Sequence, residues 1–422
     1  MILRKRSLAT ALVLAVAASG AIVAPSFAAS TAATTITIWN GAESADKDQQ
    51  TPIIVKWAKT QGLTVNVVYK KDMRNAFITA VPEGKGPDLM VGAHDWTGQL
   101  VSSGTIAPIA VGALVNKFSK EIKSSFNVGG KLYGLPIYTE NIALVYNKSV
   151  AKDPKGMTWD QLLASPRGVT LPFSRGGTGA DPYHMSPIAT SFGISLFKRD
   201  TKGWTKTLGY TGAGADAYAA WLAKNGPKFV DGGWDQMNCN IQNGGYAITG
   251  PWILGGLVND TKAKLNMPDG TKKDCVGKAM TLDEVGIASF PSAGGKTARQ
   301  FSGQYGYWQS VKVAGSKNST NVGKVLRFIG SAEFQAEFAG ISGAERIPAN
   351  SDALVSMKNK NLIAFQAAGK NAWPMPTYSF LDTVWSKVGA AEKALVEGTA
   401  TGGTAGYFDK AMDPLQTTVN GL

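Results

Sequence analysis

The chain is poor in the residues on which most catalytic and metal chemistry relies. Its 422 residues include only two histidines, His94 and His184, and only two cysteines, Cys239 and Cys275. So small a set of imidazole and thiolate ligands argues against a metal site, and no cofactor is expected. No GxSxG elbow, P-loop, HExxH or GxGxxG occurs, and neither histidine sits in a catalytic signature. Paired carboxylates could in principle make a glycoside hydrolase, with Glu140 and Asp181 as candidates. Nothing in the sequence supplies an activated nucleophile or an acid of raised pKa, so no catalytic residue is expected.

Long apolar runs are also missing beyond the N-terminus, which excludes a membrane span there. The N-terminus itself has Arg4, Lys5 and Arg6, then a short apolar stretch from Leu8 to Val23, then Ser26-Phe27-Ala28. This pattern reads as a secretory signal peptide, residues 1–29, cleaved after Ala28 or Ala29; an uncleaved anchor is the alternative. No cysteine lies near that site to carry a lipid. A soluble protein outside the cytoplasm, periplasmic or extracellular, is therefore expected. In an oxidising compartment an isolated cysteine pair usually bonds, so Cys239 and Cys275 are expected to form a disulfide that ties down a loop, Asp260 to Lys278.

The formal charge of +13 includes the three basic residues of the signal segment. A basic exported protein could bind nucleic acid, anionic lipid or wall polymer. The lysines are scattered, however, and solvated surface without a nucleic-acid partner is the reading adopted.

Hydrophobic periodicity then orders the elements. Ile36–Trp39 alternates as a strand, followed by a helix over Ala45–Thr60 capped by Ser44 and stopped at Gly62. Thr64–Tyr69 is a strand, Met73–Ala80 a helix and Leu89–Val91 a strand. This order implies right-handed crossovers and a mainly parallel sheet, with ligands bound beyond the carboxyl ends of the strands. Glu43 follows the first strand, and Asp95 and Trp96 follow the third, so these loops are candidate site segments. Strands are also expected at Ile142–Tyr146, Ala247–Thr249 and Gly286–Phe290. Helices are expected from Thr158 and over Ala213–Ala223, while Gly168–Pro187 is expected to be a loop. About 390 mature residues suit two lobes better than one core.

What the chain does have is aromatic rings, 11 Trp, 12 Tyr and 16 Phe, with carboxylates in the loops. Sugars present apolar C–H faces to rings and hydroxyls to carboxylates. Trp57, Trp159 and Trp221 fall in helical patterns and read as core; Trp252 and Trp385 read as ligand platforms.

These motifs, in order, resemble the family 1 extracellular solute-binding proteins of ABC importers, and specifically the maltose/maltodextrin-binding type. The resemblance rests on Gly86-Pro87-Asp88-Leu89 with Ala93-His94-Asp95, on Lys131-Leu132-Tyr133-Gly134-Leu135-Pro136 with Glu140, and on Thr158-Trp159-Asp160. It continues through Gly250-Pro251-Trp252, Arg346-Ile347-Pro348-Ala349, and Pro374-Met375-Pro376 before Val384-Trp385. It implies an α/β, two-lobed periplasmic-binding-protein-like fold (type II), each lobe a mainly parallel sheet flanked by helices. The first lobe would comprise residues 30–138 and 291–339, and the second 139–290 and 340–422, with hinges near Tyr138, Phe290 and Ala339. It implies Asp95 and Glu140 as hydroxyl acceptors, Asp181 and Tyr183 as an acid–Pro–Tyr element, and Trp252 and Trp385 as stacking platforms. The implied partners are an oligosaccharide and the permease subunits of an ABC transporter, and the protein is expected to be a monomer.

The family's maltose binders have tryptophan at the position of Gly92 and arginine at that of Trp96, so the ring has moved along the loop. Their acid–lysine pair after the first strand is reduced to Ala42-Glu43. The same fold could instead hold a polyamine, iron or a phosphorylated polyol, with Arg175 a basic donor for the last.

Overall fold

The computed structural model describes residues 35–41, 48–173, 180–341 and 346–421. The signal segment, Ser44, Glu43 and Arg175 lie outside the described residues.

Alternating Ile36 and Ile38 build the first strand, Thr35–Asn40. They pack into one cluster with Leu89 and Val91, while Trp39 on the opposite face packs with Phe77 and Trp308. A strand buried on both faces belongs in the interior of a sheet. It pairs in parallel with Thr64–Tyr69 on one side and Leu89–Ala93 on the other. The intervening helix runs Thr51–Thr60, beginning six residues later than expected. The cause is Asp48, which is buried at the strand end rather than helical. It accepts hydrogen bonds from Asn40 Nδ2 (2.8 Å), Tyr69 Oη (3.1 Å) and the backbone N–H groups of Gln50 and Thr51. The helix ends as expected before Gly62, whose φ of +67° a side chain would resist.

Two sheets organise the described residues, and the fold is a two-lobed α/β one. The first sheet has eight strands, with Phe301–Ser310 lying antiparallel between Leu89–Ala93 and Gly134–Asn141. The second has seven, with Val169–Leu171 and Tyr246–Thr249 parallel at its centre and Ala143–Asn147 and Val285–Ala288 antiparallel beyond them. The sheets are thus mixed rather than mainly parallel. The reason is connectivity: the chain passes straight from Gly134–Asn141 into Ala143–Asn147, and later returns to the first sheet as a strand. A strand that arrives from the other lobe enters from the opposite end, so no helical crossover sets its direction.

Residues beyond 340 do not all join the second lobe. Ile347–Pro348 and Trp373–Pro374 pair with strands of the first sheet. The helices Leu381–Val396 and Tyr407–Asn420 pack into the second core beside Leu222, Trp159 and Ile248.

Part of the segment expected to be a loop is regular. Val169–Leu171 is a strand and Pro182–Ser191 a helix despite Pro187. Proline at the first helical position fits, because that N–H has no helical partner. Pro187 removes a donor to the Tyr183 carbonyl, and Ser186 Oγ fills that role at 2.8 Å. Likewise the stretch Asp260–Lys278 is a β-hairpin, Thr261–Asn266 with Lys272–Gly277, and not an open loop. The Cys239–Cys275 disulfide is present and joins it to the helix Trp234–Gln242. Trp159 is buried as expected, Trp57 stacks on Phe328 at 4.3 Å, and Trp221 is half-buried against the same core as Trp159. Among the described residues no helix is long and apolar enough to cross a membrane.

One acid among the described residues is fully buried in the second core. Glu392 is fully buried and accepts from Tyr210 Oη (3.0 Å) and Tyr218 Oη (2.9 Å). Burial raises its pKa to about 8 against the two hydroxyl donors, which lower it. The unfolded chain ionises this group from its ordinary value upward while the fold keeps it protonated, so stability is lost as pH rises from about 4.5 to about 8. Glu392→Gln should flatten that part of the stability–pH curve and raise the melting temperature at pH 8, measured by calorimetry across the range. Opening the disulfide by a Cys239→Ser, Cys275→Ser double change should lower unfolding free energy by about 3 kcal/mol in denaturant titration, since it frees the intervening chain in the unfolded state.

Candidate ligand-binding cleft

The strand Leu89–Ala93 runs directly into a single 3₁₀ turn, His94–Trp96. His94 fixes that turn. The Gln304 N–H donates to its Nδ1 at 3.0 Å, which places the proton on Nε2, and Nε2 donates to the Met375 carbonyl at 3.2 Å. Burial pushes its pKa down to about 4, so the ring is a neutral structural tie among three segments. The turn thereby holds Asp95 and Trp96 at the end of the first sheet. The Trp96 ring lies over Gly92, where a Cβ would come within 2.3 Å of it. It stacks on Trp308 at 6.2 Å, with the Arg74 guanidinium 5.4 Å above it. A large residue at position 92 and the ring of Trp96 exclude one another.

Glu140 projects from Gly134–Asn141 and sits 3.8 Å from Arg346, whose guanidinium also lies over the Tyr138 ring. Tyr305, on the crossing strand, stacks on Tyr138 at 4.8 Å. From the second lobe, Asp181 caps the helix Pro182–Ser191 and presents Tyr183 and His184 in its first turn. Trp252 follows the strand Tyr246–Thr249, its ring over Gly250, where a Cβ would approach to 2.3 Å. Trp385 comes from the helix Leu381–Val396.

These groups line one cleft of about 620 Å³, a size suited to a small-molecule ligand. Asp95, Trp96, Glu140, Asp181, Tyr183, Trp252 and Trp385 all border it, drawn from both lobes. Glu43 lies outside the described residues. His184, Trp234, Tyr305, Arg346 and Met375 border it as well, and sequence reasoning did not single these out as site residues. Tyr305 has the pattern of any strand residue and Trp234 that of any helix start. Arg346 and Met375 stood in the motifs Arg346-Ile347-Pro348-Ala349 and Pro374-Met375-Pro376, which were the available signals. His184 adjoined the acid–Pro–Tyr element without being part of it.

The electrostatics follow from burial. Asp95 is pushed up to about 7, chiefly by desolvation, with Asp382 and Glu140 adding to the rise and Arg74 opposing it. Glu140 is also raised by burial, against Arg346 and His184. Four buried polar atoms on residues that border the cleft have no hydrogen-bond partner: Asp95 Oδ1, Tyr183 Oη, His184 Nε2 and Trp252 Nε1. An unpaired buried polar atom costs about 1–3 kcal/mol. Their concentration between indole and phenol rings is suited to a guest with both apolar faces and hydroxyls.

Residues 53–367 match the profile of the family described as "Bacterial extracellular solute-binding protein". The chain belongs to that family. This solute-binding protein is 33% identical, over 146 residues, to the maltotriose-binding protein of Pyrococcus abyssi, a match spanning 33% of this chain and 32% of that one. It is 26% identical over 323 residues to a maltooligosaccharide ABC transporter solute-binding lipoprotein of Streptococcus pneumoniae strain R6, covering 72% of this chain and 70% of the relative. Among solved structures, that of Thermus thermophilus maltotriose-binding protein bound with maltotriose superposes with a TM-score of 0.73 at 21% identity. It spans 91% of this chain and 100% of that one, and confirms the two-lobed fold.

The position of Arg74 yields a direct check on the cleft. Asp95 should titrate near pH 7 by carboxyl carbon NMR, and Arg74→Gln should move its midpoint higher, because the cation that favours the carboxylate is gone.

Proposed function

We propose that this protein is the extracytoplasmic binding component of an ABC importer, capturing a maltooligosaccharide between its lobes and delivering it to a membrane permease. The observation that carries this reading is the cleft itself: rings and acids from both lobes around unpartnered polar atoms. Trp96, Trp252, Trp385 and Tyr183 provide faces for pyranose rings, while Asp95 and Glu140 accept hydroxyl hydrogen bonds. The related proteins that bind maltotriose and maltooligosaccharides support the same ligand class. Export is directed by the signal peptide of residues 1–29, and the protein acts as a soluble monomer outside the cytoplasm.

Closure follows from having ligand contacts on two bodies: a guest that touches both lobes favours the state in which they meet. The chain crosses between the lobes around residue 142, between residues 288 and 301, between Pro348 and the helix Lys360–Ala368 on the second sheet, and after Pro374; these segments, rather than one near Ala339, are the hinges. The protein performs capture without cleavage.

A phosphorylated polyol fits less well. Among the described residues, the cleft's one arginine or lysine, Arg346, is already beside Glu140.

Titration calorimetry with maltotriose should give a dissociation constant in the micromolar range, about −8 kcal/mol, and maltotriose recovered afterwards should be intact. Trp252→Ala or Trp385→Ala should weaken binding tenfold or more, with tenfold equal to about 1.4 kcal/mol, while leaving the unliganded melting temperature nearly unchanged. No heat with any maltooligosaccharide, or shortened products, would refute the reading.

A further inference from the structure

The acid–Pro–Tyr element does not offer its carboxylate freely to the cleft. Asp181 Oδ1 accepts the Tyr183 N–H at 3.0 Å, as the cap of the helix Pro182–Ser191. Its Oδ2 lies 2.8 Å from His184 Nδ1. A carboxylate can only accept, so Nδ1 carries the imidazole proton. In the neutral ring Nε2 is then a bare lone pair. That atom is buried, has no partner, and belongs to a side chain only 3% exposed that borders the cleft. The neighbouring Trp252 ring, 6.0 Å away and nearly perpendicular, carries an unpartnered Nε1–H, which can only donate. One bare acceptor and one bare donor on adjoining rings are the complement of a hydroxyl, which gives one proton and receives another.

Resting on the reading of the cleft as a sugar site, we propose that His184 is a specificity-determining contact, its Nε2 accepting from a ligand hydroxyl to which Trp252 Nε1–H donates. Asp181 is then a positioning residue that acts through the histidine by fixing its tautomer. A site built to hydrogen-bond a hydroxyl rejects the analogue that lacks it, because its own polar atoms are left unpaired. The cleft therefore discriminates at one defined sugar position on the second-lobe side.

The chain has only two histidines, so imidazole ¹⁵N spectra of the whole protein resolve them, and His184→Phe identifies the signals of this one. Without ligand, Nδ1 of His184 should be protonated and Nε2 bare. Adding maltotriose should shift the Nε2 resonance upfield and leave Nδ1 nearly still. By calorimetry His184→Phe should weaken maltotriose binding about tenfold, the scale of one buried hydrogen bond. Across a set of monodeoxymaltotrioses, one compound should bind the wild type about tenfold worse than maltotriose, yet bind the Phe variant as well as maltotriose does. Asp181→Asn, which keeps the helix cap on its one oxygen but turns an amide N–H toward Nδ1, should move the ring proton to Nε2 and weaken binding, and Asp181→Ala should lose the tautomer preference and the affinity. A protonated Nε2 in the free protein overturns the proposal. So does an Nε2 resonance that stays put while calorimetry records binding, or a deoxy series that loses equally in both proteins; in these cases the sugar-binding reading stands. Absence of binding to every maltooligosaccharide overturns both.

Discussion

The pairing of one long strand constrains most of this structure. Phe301–Ser310 lies between Leu89–Ala93 and Gly134–Asn141, and the short strands Ile106–Ala107 and Trp373–Pro374 attach to it as well. A ladder of backbone hydrogen bonds has a side-chain period of two, so a slip of one residue would turn every side chain to the opposite face. The observed register sets Gly303 against Glu140, where a Cβ would come within 3.0 Å of the acid's side chain, and puts Tyr305 against Tyr138. The same strand supplies the Gln304 N–H that orients His94, and His94 in turn holds the turn carrying Asp95 and Trp96. Cleft geometry on the first-lobe side is thus a consequence of one strand's register.

On the second-lobe side the organising device is a helix start. Asp181 caps the helix Pro182–Ser191, and the cap fixes the direction in which Tyr183 and His184 leave the backbone. Local backbone chemistry and ligand chemistry are here the same interaction. The carboxylate that ends the loop also determines which imidazole nitrogen is free to face a ligand.

The cleft gathers in one place a cost that elsewhere is borne by scattered atoms such as Asn238 Oδ1 and Asn318 Oδ1. Most buried polar groups elsewhere are paired: Asp48 takes several donors, and Asn350 bonds both to Gln335 and to the Gly330 carbonyl. In the cleft, by contrast, Asp95 Oδ1, Tyr183 Oη, His184 Nε2 and Trp252 Nε1 are left without partners. Unpaired polar atoms weaken the empty protein and make it selective for whatever satisfies them. Glu392 bears the same cost in the second core: two tyrosines donate to its Oε1, its Oε2 has no partner, and burial raises its pKa.

The sequence alone was sufficient for the alternating strands Thr35–Asn40 and Thr64–Tyr69, for the helix stop at Gly62, for the cysteine pair, and for the ordered motifs that name the family. Each of these is a local signal: period, φ preference, composition or short spacing. It did not show the late start of the helix at Thr51, the helix through Pro187 or the mixed sheets. Those depend on Asp48 reaching Asn40 and Tyr69, on Ser186 filling the place of a missing N–H, and on a strand returning from the other lobe. Motif order indicated seven of the residues that border the cleft, but Tyr305, Trp234 and His184 carried no mark in the chain. Whether a polar atom is left unpaired depends on neighbours hundreds of residues away, and only the folded arrangement brings those neighbours together.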